Sequence, residues 1–136
     1  MLATVLTVVG CAAISPPPPS AGGEIAAPLT AQPGDAARGR AVAVNRERGA
    51  CVLCHAVPGE PFAGDIGPPL AGSGAWLTPG RARARLVDSS LLNPDSVMPP
   101  YHRTTGLNRV AQAQAGKPVL TAQEVEDVIT WLMTLK

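Results

Sequence analysis

Cys51-Val52-Leu53-Cys54-His55 is the stretch that decides how the rest of the chain is read. Two thiols three residues apart on a helical turn can add to the two vinyl groups along one edge of a haem. The next residue, His55, then projects a neutral imidazole toward the iron. The pattern C-x-x-C-H is read as a site of c-type haem attachment. Two other uses of a cysteine pair compete. A thioredoxin-like redox pair would sit in a βαβ pattern, and no segment here shows the apolar–polar alternation of such strands; a simple disulfide stands beside it as an alternative. A structural zinc site takes four ligands, and the only histidine outside the motif is His102. One covalent haem c is the reading adopted; the redox pair and zinc are its alternatives.

Upstream of the motif the chain changes character. It opens with a short apolar run, Leu2 to Val9, followed by small residues, four prolines (Pro16 to Pro19) and a Gly/Ala/Pro-rich tract. That order is expected of an export signal followed by an extended linker. Residues 1–33 are therefore assigned to signal and linker, residues 34–136 to the folded domain, and the periplasm is the expected destination. The apolar run is too short to span a bilayer as a helix. Val8-Val9-Gly10-Cys11 has the form of a lipobox, which would give a lipid anchor through Cys11. An ordinary signal cleaved between about Ala13 and Gly22, or a start site placed too far downstream, fits the same residues. Setting Cys11 aside leaves the domain two cysteines, too few for a disulfide framework.

Composition gives the domain little to bury. A unit of about a hundred residues has a limited core, and the aromatic residues are only Phe62, Trp76, Tyr101 and Trp131. Between Val57 and Ser90 glycine and proline dominate, so a large planar apolar cofactor would fill volume that side chains leave. The net charge of +1 gives no case for nucleic acid binding. Nine of the eleven basic residues are arginine, which favours fixed ion pairs.

Three helices are expected. Asp35 caps the first, which runs over Ala36–Arg48 to a stop at Gly49; Ala37, Gly39 and Ala41 would let another helix approach closely. Thr78 caps the second, with Pro79 at its first position, and it reaches about Ser89 before the turn at Asn93-Pro94. The third carries a capping box, Thr121 with Glu124, and a hydrophobic staple, Leu120 with Val125. Val125, Val128, Ile129 and Leu132 form its apolar stripe, opposite Glu126, Asp127, Thr130 and Thr134. The acidic cluster Glu124, Glu126 and Asp127 reads as a solvated face, and so do Arg81, Arg83 and Arg85. The expected fold class is all-α with long loops, which a compact domain carries when they order around a cofactor.

For the far face of the iron the candidates are Met98, Met133, His102 or no ligand. Met98 precedes Pro99, which biases it toward an extended conformation, and Pro100 stiffens the same loop. Met133 flanks the last apolar stripe, where methionine usually fills core. Met98 is the expected sixth ligand, with His102 or an open site as alternatives. A His/Met pair suits electron transfer, whereas an open position permits ligand binding.

Several segments carry a resemblance to a known family. Gly34-Asp35-Ala36-Ala37-Arg38-Gly39 resembles the opening of the N-terminal helix in class I cytochromes c, and Gly67-Pro68-Pro69-Leu70 resembles their G-P-x-L segment. The resemblance implies that the Pro68 carbonyl accepts from His55, fixing its tautomer; a mere turn is the alternative there. Asn93-Pro94-Asp95-Ser96-Val97-Met98-Pro99-Pro100-Tyr101, Gly106-Leu107-Asn108-Arg109-Val110, Gly116-Lys117-Pro118-Val119-Leu120-Thr121 and Val125-Glu126-Asp127-Val128 together resemble the SoxX family. Its members are the small monohaem subunits of the SoxAX cytochromes of bacterial sulfur oxidation. The likeness implies a SoxA-type partner in a heterodimer that joins thiosulfate to a cysteine of the carrier SoxYZ, as an L-cysteine S-thiosulfotransferase. It also implies electrons passed to a soluble cytochrome c acceptor, with no catalysis by this chain alone. Partner contacts are expected from Pro58 to Trp76 and from Tyr101 to Pro118. A free-standing electron carrier and a haem-based gas sensor are the rival readings.

Overall fold

The computed structural model describes residues 23–62 and 64–136. Four α-helices follow in order: α1 (Ala36–Val44), α2 (Ser73–Trp76), α3 (Pro79–Asp88) and α4 (Ala122–Thr134). Tight 3-10 turns lie at Cys51–Leu53, Ser89–Leu91 and Gln112–Gln114. Among the described residues there is no strand, so the all-α fold expected from the pattern is the fold found.

The caps lie where local chemistry puts them. The Asp35 carboxylate accepts from the Arg38 amide at 2.8 Å, Thr78 caps α3 through the Arg81 amide, and Thr121 with Glu124 closes a reciprocal capping box on α4. Two boundaries differ from expectation. Helix α1 ends at Val44, not Arg48, because Asn45 turns extended and the chain folds back until the Gly49 amide donates to the Val42 carbonyl at 3.1 Å. Gly49 is needed there for space, since a Cβ would overlap that carbonyl; the left-handed residue is Ala50. Helix α2, of four residues, is not among the three helices the sequence predicts.

Helices α1 and α4 cross in close contact. A Cβ on Gly39 would overlap the Asp127 carbonyl, so a side chain there would push the helices apart. Ala37 and Ala41, expected to share that role, face solvent instead.

The stripe Val125, Val128, Ile129 and Leu132 is buried, but on the face opposite it only Thr134 is exposed, and its two carboxylates are buried. Glu126 is 6% exposed and Asp127 2%. Arg83 of α3 is buried too, donating from Nε to Glu126 Oε1 at 2.7 Å and from Nη2 to Oε2 at 2.9 Å. Asp127 accepts from Arg38 Nε and Nη2 at 2.8 and 2.9 Å and from the Asp35 amide at 2.8 Å. The Arg38 guanidinium holds the Asp127 carboxyl below the usual range, outweighing burial. Of the acidic cluster only Glu124 stays near the surface, paired with Arg48. The expected solvated faces are thus corrected: α4 is enclosed on several sides, and its charges are buried with partners from distant segments.

The packed unit also reaches upstream of Gly34. Ile25 is 1% exposed and packs with Ala84 and Val87. Its amide donates to the Gly80 carbonyl at 3.1 Å, and its carbonyl accepts from Arg83 Nη1 at 2.6 Å. The Leu29 amide donates to Glu126 Oε1 at 2.9 Å. The leader and Cys11 lie outside the described residues, among which no helix is long and apolar enough to cross a membrane.

Candidate functional site

The turn at Cys51–Leu53 is drawn tight by two bonds to the Cys51 carbonyl, from the Cys54 amide at 3.1 Å and the His55 amide at 2.9 Å. It sets Cys51, Cys54 and His55 on the wall of one cavity. Burial pushes the Cys51 thiol up to about 11. Among the described residues no strand flanks the turn, so the βαβ setting of a thioredoxin-like pair is missing. The following segment wraps the turn: the Gly64 amide donates to Val52, Gly67 to Cys54 and Leu70 to Ala56, at 2.8, 2.7 and 2.9 Å.

That wrapping brings the Pro68 carbonyl to 2.7 Å from His55 Nδ1. With Nδ1 donating there, Nε2 keeps the lone pair that a metal needs. Gly67 makes the approach possible, because a Cβ would overlap the imidazole ring. The sequence displays Gly67 within the G-P-x-L run, yet its steric role appears only once the ring is placed.

The cavity has a volume of about 580 Å³. Ala82, Arg85 and Leu86 of α3 and Val128, Trp131 and Leu132 of α4 form much of its lining. Met98, Pro99 and Tyr101 border it from the downstream loop. Neither Met133 nor His102 borders it. Met133 packs against the core, and His102 Nδ1 is held by the Leu120 carbonyl at 2.8 Å. Cys51, Cys54, His55, Pro68 and Met98 are therefore brought together, and the two competing ligands are not.

Two further residues belong to the site: Tyr101, and Arg85, which the sequence places on a solvated face. Tyr101 is 8% exposed and its hydroxyl donates to the Gly49 carbonyl at 2.7 Å; burial raises its phenol, which keeps it a donor. Arg85 borders the cavity with its Nε buried and without a partner among the described residues. The spacing Ala82, Arg85, Leu86 would have placed it on the inner face of α3.

Helices folded around one apolar cavity, with a C-x-x-C-H turn and a methionine loop on its wall, define a class I c-type cytochrome. The family model described as Cytochrome c matches residues 36–136, and the chain belongs to that family. Among solved structures it is similar to a chain of the crystal structure of SoxXA from P. pantotrophus, with 32% identity and a TM-score of 0.77. The match covers 84% of this chain and 90% of that one, and makes the protein SoxX-like. None of the curated proteins matches it. It is an electron-transfer cytochrome, and its cofactor is covalent haem c.

The residues present fit that cofactor. A planar apolar macrocycle bearing carboxylates matches apolar walls and a guanidinium whose buried Nε has no protein partner. The zinc alternative finds no ligand set, since no three His, Cys, Asp or Glu residues converge among those described.

Proposed function

We propose that this chain is the electron-accepting subunit of a two-cytochrome complex of sulfur oxidation, acting in the periplasm after export. Cys51 and Cys54 hold the haem through thioether bonds, His55 is the fifth ligand and Met98 the sixth. The haem supplies the one-electron couple. Pro68 orients His55 and raises its basicity, and a thioether opposite it favours electron transfer over ligand binding. The convergence of these five residues on one cavity supports the reading.

The sulfur chemistry belongs to a SoxA-type partner. A sulfur–sulfur bond forms between thiosulfate and a cysteine of the SoxYZ carrier, two electrons are released, and this chain passes them singly to a soluble cytochrome c. With Cys51 and Cys54 committed to haem, no thiol remains among the described residues to do that chemistry. The rim of the cavity favours a lasting partner. Ile66, Trp76 and Val97 border it while 68%, 57% and 81% exposed, and clustered exposed apolar side chains mark interaction surfaces. A free-standing carrier would instead want a one-signed docking face. On α3, Arg81 is exposed, Arg83 is buried against Glu126, and Arg85 borders the cavity, so no basic strip forms there.

Co-expression with a SoxA-type cytochrome tests this. A stable heterodimer should co-purify, and thiosulfate-dependent reduction of an acceptor should require the partner and the carrier. Turnover of thiosulfate by the isolated chain would refute the subunit role, and failure to bind any such partner would return the free-standing carrier.

A further inference from the structure

Tyr101 stands three residues beyond Met98, with Pro99 and Pro100 between them. Each of its polar groups is bonded, and each to a different part of the fold. The amide donates to the Leu86 carbonyl of α3 at 3.0 Å, and the carbonyl accepts from the Leu120 amide, at the entry to α4, at 2.8 Å. The hydroxyl donates to Gly49, two residues before Cys51, at 2.7 Å. That last bond joins the methionine loop to the attachment turn directly. Apart from its other neighbour, Cys51 Sγ at 3.8 Å, the Gly49 carbonyl has no donor among the described residues. A thiol is a weak donor, and it has no proton left once its sulfur is a thioether.

Proline fixes φ near −65°, so Pro99 and Pro100 leave few torsions to absorb a shift between Tyr101 and Met98. We propose that Tyr101 is a positioning residue. Its hydroxyl on Gly49 sets the register of the Met98 loop against the attachment turn and so holds the sixth ligand in place. This rests on the reading of Met98 as that ligand. Without the phenol the Gly49 carbonyl is buried and unsatisfied, and loop arrangements that release Met98 gain by about tenfold in equilibrium constant.

The test uses the haem-loaded protein as wild type and as Tyr101→Phe, Met98→Ala and Thr78→Ala. Imidazole binding to the ferric form is titrated, and the methionine–iron charge-transfer absorption is followed with pH. Tyr101→Phe should bind imidazole about tenfold more tightly than wild type and lose the methionine absorption at lower pH. Thr78→Ala removes a cap whose hydroxyl touches Arg81 and Glu24, not either loop; it should lower stability without changing imidazole affinity. Unchanged affinity in Tyr101→Phe, or an equal rise in Thr78→Ala, overturns the role. Met98→Ala separates the two readings. If it too matches wild type, the ligand assignment is wrong; if it alone opens the iron, only the tyrosine's role falls. Should Tyr101→Phe not fold, uniform 3-fluorotyrosine labelling modifies this residue alone, as it is the chain's only tyrosine. The stronger O–H donor should then weaken imidazole binding, and no change would count against the role.

Discussion

Met98 and Met133 offer the same thioether, and the backbone around each decides what it does. Met98 is half-buried on a loop stiffened by two prolines and borders the cavity; Met133 sits in the last turn of α4 against the core. Met98→Ala should open the iron to carbon monoxide and lower the reduction potential. Met133→Ala should leave the spectrum alone and cost about 2 kcal/mol in denaturant unfolding, the low end for a methionine that is only partly buried. A spectrum altered by Met133→Ala and untouched by Met98→Ala would reverse the assignment. At this scale the sequence is readable wherever the chemistry is local. The haem motif spans five residues, and proline restricts its immediate neighbour. Tyr101 and Arg85 escaped because their roles depend on what the fold sets beside them: the Tyr101 acceptor, Gly49, is 52 positions away.

Among the helices, the starts were legible because a cap is a contact across three residues, as at Asp35, Thr78 and Thr121. The end of α1 was not, since the reversal at Asn45 is secured by Gly49 meeting Val42 after the chain has folded back. Helix α2 is a single turn, too short to carry a period. Charge departs further from the pattern. Glu126 and Asp127 have the spacing of a wet face, and only partners from α3 and α1 make their burial tolerable. Arg83→Ala should therefore cost about 3–5 kcal/mol, because Glu126 would be left buried and uncompensated. The double variant Arg83→Met with Glu126→Leu should recover part of that loss. Denaturant unfolding of both measures it; a loss under 1 kcal/mol in Arg83→Ala would mean that the Leu29 amide alone suffices to hold the buried Glu126 carboxylate.

Taken whole, the molecule is arranged around a cavity of about 580 Å³, a large space for a chain with so few large side chains. The scarcity of aromatic residues and the long loops already implied that something other than protein completes the core. What composition could not convey is that residues 23–33, rich in the residues of a linker, pack onto α3 and α4 through Ile25, Leu29 and the Arg83–Glu126 pair. On the proposed reading the chain folds around one haem bound covalently by Cys51 and Cys54. Protein matured in a host competent for c-type cytochromes, denatured in acidified organic solvent and weighed intact, tests it most directly. Haem should remain on the wild-type polypeptide and be absent from a Cys51→Ala, Cys54→Ala variant. A wild-type chain weighing no more than its amino acids would contradict it.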